Sequence, residues 1–241
     1  MSNYQPSITQ LDNRNPKYFY ILCCAYITSI ITSITVAARL LSFQIPFTSH
    51  VVLLTAGTWT IPLSFLLQDI TTEVYGYVKS RQLVQITIIL IVTYIGYLKL
   101  TNIFPIPTQP NIDYAYIAVF DSLPRHLLAL VGAIIIGNLI NDYMLSKLKL
   151  RFKGKYLPLR FIFATMIGEA CLQLVGTSIA WLGNLHFNSQ IIPFVLFSYF
   201  YKVLFEILLI PVSYYVCAWL KQAENMDVYD AGVNYNPFSW K

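Results

Sequence analysis

The sequence predicts an all-α integral membrane protein, a compact bundle of six transmembrane helices with both termini in the cytoplasm. Composition is the first observation behind this. Of 241 residues, 56% are hydrophobic and only 11% charged, with a mean hydropathy of +0.58, whereas soluble domains carry about 25% charged residues. The second is the length of the apolar runs, several of which reach the ~20 residues a bilayer-spanning helix needs. The third is an uneven distribution of Lys and Arg between alternate loops.

The polar start "MSNYQPSITQLDNRNPK" has no apolar core ahead of a small-residue cleavage site. Residues 1–17 are therefore expected to be a cytoplasmic tail, 18–220 the membrane domain and 221–241 a second cytoplasmic tail. Span one is expected at 18–38, with Ala25, Ser29, Ser33 and Ala37 at steps of four. Small residues in such a stripe let helices approach closely in lipid. Span two is expected at 50–68, where "TAGTWTIPLSFLLQD" holds Gly57, Trp59 and Pro62 among hydroxyl residues. Broken polar helices of this kind line cavities in transporters, and a plain kinked helix has the same look. Span three follows at 83–99. Residues 104–122, with three prolines, read as a loop and a short interfacial piece. Span four is expected at 123–143 with its own small-residue stripe of Ala129, Ala133 and Gly137, then Asn141. Spans five and six are expected at 160–184 and 191–220, the last tilted or bent at Pro211.

Cations accumulate in cytoplasmic loops. One side of the predicted bundle gathers Arg14, Lys17, Lys79, Arg81, Lys147, Lys149, Arg151, Lys153, Lys155, Arg160, Lys221 and Lys241; the other holds Arg39, Lys99 and Arg125. This bias places both termini in the cytoplasm. It also accounts for the net charge of +5 without a nucleic-acid partner. Cys23, Cys24, Cys171 and Cys217 form no CxxC, and neither a disulfide framework nor a metal site is indicated. The chain has no phosphate-binding GxxxxGK[ST], no HExxH and no GxSxG. No cofactor is indicated.

Ionisable groups within membrane helices cost about 2.5–3.5 kcal/mol by insertion scales, so each needs a partner or a function. Here they are Asp69, Glu73, Arg125, Asp142, Glu169, Lys202 and Glu206. Asp69 and Glu73 share a helical face and have two readings: interfacial acids near Lys79 and Arg81, or acids facing a transport path. Lys202 and Glu206, four apart, could neutralise each other. Arg125 could snorkel to headgroups, and Arg160 could meet anionic lipid or act in transport. Glu169, with Gln173 one turn later, calls for a buried partner or a ligand.

"LQDITTEVYGYVKSR" resembles the D-x-x-TE-x-YG signature of the queuosine precursor transporters, a vitamin uptake transporter family with six predicted spans. "LPRHLLALVGAIIIGNLINDYMLSKLK", "KGKYLPLRFIFATMIGEACLQLVGTSIAWLG" and "FYKVLFEILLIPVSYYV" are similar to its later spans, and "DVYDAGVNYNPFSW" to its ending, with Tyr235 where Phe is commoner. The likeness runs from about residue 50 to the C-terminus. It departs where family members often carry an Asp near Cys171, Leu172 or Gln173.

The resemblance implies import of 7-cyano- or 7-aminomethyl-7-deazaguanine, or queuine, across the bacterial inner membrane for queuosine salvage. A carboxylate, Glu169 or Glu73, would accept the two adjacent donors of the guanine edge. Asn138, Asn141 and Gln173 would pair with the other edges, and Trp59 or Tyr75 would stack on the ring. Asp69 and Glu73 are expected to face the translocation cavity, reading the base or pairing with Lys202 or Arg160 during gating. Glu206 completes the set of candidate site residues. Implied partners are the deazapurine, the bilayer, further copies of the chain, and energising subunits if the chain is only a substrate-capture module. A membrane enzyme acting on lipid or isoprenoid is the rival from another class; it would ordinarily need a DDxxD-type cluster, which this sequence lacks.

Overall fold

The first apolar run winds into α1 (Phe19–Ala37), which is followed by an antiparallel ribbon of β1 (Leu40–Gln44) and β2 (Val51–Thr55). A tight turn, Ala56–Trp59, leads into α2 (Ile61–Tyr75). Then come α3 (Tyr77–Thr101), α4 (Leu123–Arg151), α5 (Leu157–Trp181) and α6 (Ile192–Ala223). The computed structural model describes residues 16–37, 39–44, 51–101, 103–104, 114, 120, 123–181 and 191–240. Most of the expected loop at 104–122 and the segment around His186 lie outside these.

Among the described residues there are six helices, and five of them, α1 and α3 to α6, are long and apolar enough to cross a membrane. Their outward faces carry Ile89, Val92, Leu174 and Leu208, each more than half exposed. Such a surface fits hydrocarbon and not water. The departure from an all-α chain is the ribbon, and it corrects the expected second span at 50–68. "VVLLT" is apolar and partly β-branched, and a short run of this kind suits a strand as well as a helix. Helix starts only at Ile61, where Pro62 sits in the first turn and lacks an N–H that would have no helical partner anyway. At 15 residues α2 is about 22 Å long, short of the ~30 Å hydrocarbon core. It is the axis of the bundle: 13 of its 15 residues are buried, against α1, α3, α4 and α6.

The other helices follow their apolar runs with shifted ends. α4 continues eight residues past the expected 143 to Arg151, with a single wide turn at Ile134–Asn138. α6 passes through Pro211 without a break. The small residues of α4 meet those of α5. A Cβ on Gly137 would lie 2.5 Å from Leu172 Cβ, and one on Gly168 would lie 2.7 Å from Asn141 Cβ. Contact this close lets Asn141 and Asp142 reach the bundle interior.

The segment after α6 folds back beneath the helix ends. Gly76 (φ +85°) permits the sharp break between α2 and α3, and a side chain there would strike Val228 and Asp230. The Asp230 carboxylate accepts the Tyr77 N–H at 3.0 and 3.1 Å, capping the start of α3. Ser146 also donates to it, at 2.6 Å. Burial pushes the Asp230 carboxyl above the usual range, opposed by these hydrogen bonds. Arg81 donates to the carbonyls of Asn234 and Asn236 at 2.7 and 2.8 Å, and Gln85 to that of Pro237 at 2.8 Å. The C-terminal segment is thus a packed plug across one end of the bundle, called the tail end below.

Gly137→Ala is expected to destabilise the protein by about 1–3 kcal/mol through overpacking. Gly96→Ala, where an added Cβ meets nothing within 4 Å, is expected to be neutral or better. Thermal unfolding of the two variants in detergent checks the contrast.

Candidate functional site

Three polar layers cross the bundle between the tail end and a cavity near the opposite end. The layer nearest the tail centres on Glu73, in the last turn of α2 and fully buried. Arg160, near the start of α5, grips both its oxygens, Nη1 to Oε2 at 2.6 Å and Nη2 to Oε1 at 3.1 Å. Lys221 adds a bond of 2.6 Å to Oε1, and Lys149 stands 3.7 Å away. Lys149 also donates to the Glu73 carbonyl and to Asp227, the latter at 2.6 Å, and Asp227 in turn meets Lys221 at 3.0 Å. Two carboxylates and three cations therefore tie α2, α4, α5, α6 and the plug together. The i,i+4 spacing that put Asp69 and Glu73 on one face does not give them one role.

Asp69 belongs to the middle layer. Its oxygens accept from Asn141 Nδ2 and, at 3.3 Å, from Thr165. Beside it Asp142 accepts from Thr72 at 2.7 Å and Ser80 at 2.8 Å. Gln68 Oε1 accepts from Asn138 Nδ2 at 2.6 Å and from the Tyr26 hydroxyl at 3.3 Å. Asn138 is presented by the wide turn of α4, which exposes its carbonyl to Gln68 Nε2 at 3.2 Å. α2 and α4 are thus joined by side-chain amides, hydroxyls and acids, nearly all fully buried.

The third layer joins α5 to α6. Lys202 Nζ lies 2.8 Å from Glu169 and donates to Gln173 Oε1 at 3.1 Å. Gln173 Nε2 donates to Thr177 at 3.1 Å. Lys202 is thus neutralised across the helix interface and not by Glu206, its neighbour at i+4. Glu206 is 1% exposed, and neither of its carboxylate oxygens has a hydrogen-bond partner.

Above this layer, away from the tail, lies a partly open cavity of about 110 Å³. Its polar groups come from Ser33, Thr55, Thr58, His126, Gln173, Thr177, Ser198 and Lys202. Its aromatic wall is Trp181, edge-on to His126 at 4.8 Å and inclined to Phe194 at 6.4 Å. Of the residues predicted as site candidates, Gln173 and Lys202 line the cavity, and Glu169 backs them as the partner of Lys202. Asp69, Asn138, Asn141 and Glu206 lie in the layers below, and Glu73 and Arg160 lie deeper still. Tyr75 is at the tail end, where its hydroxyl donates to Glu224 at 3.4 Å and its ring meets Phe19. Trp59 is half-exposed against Tyr201, although its neighbour Thr58 lines the cavity. His126, Trp181, Tyr26, Gln68 and Thr165 were missed by sequence reasoning. A histidine in the first turn of an apolar helix was the available signal for His126; nothing marked Trp181 apart from other span aromatics.

Removing one member of a buried ion cluster leaves its partners uncompensated, at about 3–5 kcal/mol. Arg160→Met is expected to lose that much apparent stability in detergent. Pairing it with Glu73→Gln should recover part of the loss, a non-additivity that a double-mutant cycle measures.

No curated protein and no solved structure matches the chain. A family model described as a vitamin uptake transporter matches residues 55–216, from the end of β2 to within one turn of the C-terminal end of the last span's apolar run. That stretch holds α2 through most of α6, with all three polar layers except Tyr26, Lys221 and the plug. By this match the chain belongs to the vitamin uptake transporter family, as a multi-pass membrane protein of transporter type.

Proposed function

We propose that the protein imports a neutral 7-deazaguanine, the 7-cyano base foremost, across the bacterial inner membrane for queuosine salvage in transfer RNA. One observation carries this reading: the Gln173–Lys202–Glu169 group at the floor of a cavity walled by Trp181. A carboxamide offers one donor and one acceptor side by side. Gln173 Nε2 can give a hydrogen bond to the ring carbonyl of a guanine-like base while Oε1 takes the adjacent ring N–H. Its present bonds to Thr177 and Lys202 would be exchanged for those to the base. Lys202 would then be free to donate to a nitrile nitrogen. The indole of Trp181 supplies a stacking face in place of the Trp59 or Tyr75 expected from sequence.

Lys202 also gives the cavity a preference. A 7-aminomethyl group is an ammonium at neutral pH, and a cation on the cavity floor disfavours it unless Glu169 faces it instead. In this reading both termini face the cytoplasm, as the cation bias directs, so the cavity lies on the outer side. The Glu73 cluster and the plug then form the closed inner gate. Asp69 and Glu73 would act in closing and opening the path, not in reading the base.

In a strain unable to make queuosine precursors and lacking its own importer, this chain should restore transfer RNA queuosine when the 7-cyano base is supplied at low concentration. Gln173→Ala and Lys202→Met should each raise the concentration needed by roughly 10- to 100-fold, the value of a hydrogen bond involving a charged group. Restoration is read as a mobility shift on a boronate gel. Uptake by the purified chain alone in liposomes separates a self-sufficient transporter from a capture subunit needing energising partners.

A further inference from the structure

Glu206 has no evident use in either the cavity or the gate. It lies one helical turn below Lys202 on α6, 1% exposed, and both its oxygens lack hydrogen-bond partners. A bare carboxylate in that position would cost several kcal/mol, and every group around it has another commitment. On its own helix, Lys202 is paired with Glu169 of α5 at 2.8 Å. On α5, Glu169 presents a further negative charge that acts on Glu206. On α2, Asp69 feels the charge of Glu206 in turn, and also that of Asp142 on α4. β2, which also packs on α6, carries no titratable residue. Four buried acids thus share one cation, Lys202, among the described residues of these layers. Asp142 is held by two hydroxyls and Asp69 by Asn141 and Thr165, which leaves Glu206 as the acid that nothing stabilises in its ionised form.

Two neighbouring carboxylates in low dielectric cannot both stay charged, and one takes a proton. We propose that Glu206 and Asp69 form a proton-binding site, and that a proton moving through it drives the transport step. The site lies directly below the cavity floor and above the Glu73 gate, on the path a substrate must take. A proton entering from the cavity bonds to a Glu206 oxygen and neutralises it. With the gate open it leaves toward the tail side, and the site is reloaded from the cavity when the structure described above re-forms. The substrate itself is chemically unchanged. This inference rests on the transporter reading, deepening it with the energy source.

The test uses the purified full chain in two preparations, liposomes with an entrapped pH indicator and membranes for infrared spectroscopy. The probe is the 7-cyano base. An inwardly directed gradient of about one pH unit at zero membrane potential should support roughly ten-fold accumulation if one proton accompanies each base. Adding the base should also acidify the lumen. Glu206→Gln should lose both effects, and its residual uptake should no longer depend on external pH. Size-exclusion and melting profiles matching the parent establish that this variant is folded. Independently of any substrate, the infrared spectrum of the parent should show the carbonyl band of a protonated carboxylic acid that Glu206→Gln lacks. Counterflow exchange of the base by the parent tests transport alone. Exchange with neither acidification nor gradient dependence would overturn the proton proposal and leave the transporter reading standing. Absence of exchange would overturn the substrate reading, and the infrared band alone would then decide the proton site, its absence refuting it.

Discussion

The fully buried Glu73 carboxylate and its three cations hold the tail end of the bundle shut. Charges at such depth are stable only together, because each is removed from water and each partner replaces part of the lost solvation. The geometry is demanding. Arg160 must approach as a flat fork, which fixes the start of α5 against the end of α2. Lys149 must reach through from α4, and Lys221 from α6. Asp227 then balances the surplus cation and draws the plug beneath the cluster. Without Glu73 the three cations would repel each other, and the ends of four helices would lose their common anchor.

The plug extends this arrangement with quite different chemistry. Arg81 and Gln85 bind it through its backbone carbonyls, and Asp230 binds α3 through a backbone N–H. Backbone contacts of this type depend on the path of the chain more than on its side chains. Asp230 bridges Tyr77 of α3 and Ser146 of α4, and Tyr235 meets the same two residues, so the plug holds α3 and α4 together. In the transport reading proposed above, this is the end of the bundle that would have to open inward.

Much of the scaffold was legible in the sequence because its signals are local. Apolar runs gave the five long spans to within a few residues at most ends, and the stripe of Ala129, Ala133 and Gly137 marked the face of α4 that α5 meets. β1 and β2 were not legible, since "VVLLT" has no periodicity that tells a strand from a helix. The acids were visible as types but not as pairs. Spacing along one helix joined Lys202 to Glu206, whereas Lys202 meets Glu169, 33 residues earlier on a neighbouring helix. It also joined Asp69 to Glu73, although α2 carries them into different layers with different partners. Residue spacing describes a face of one helix; partners are set by which helices pack there. Trp181 and His126 became meaningful only once the ends of α4 and α5 were seen to enclose one space.

Along the axis the polar groups change character in order. At the cavity they are a lysine and an amide, exchangeable donors and acceptors suited to a ligand that comes and goes. In the middle they are acids held by amides and hydroxyls, with charge in excess of the available cation. At the tail they are ion pairs that close the bundle. A substrate moving down this axis would meet recognition first, titration second and the gate last. The order matters physically, because a change of charge at Asp69 lies one helical turn from Glu73 on the same buried helix, α2. In an interior this poor in water such a charge is weakly screened. Neutralising it weakens repulsion between α2 and α6 in the middle of the bundle while the ion cluster still holds their tail ends. In the proposed cycle this change of field couples the proton to the cluster and the plug, the parts that would move for the path to open inward.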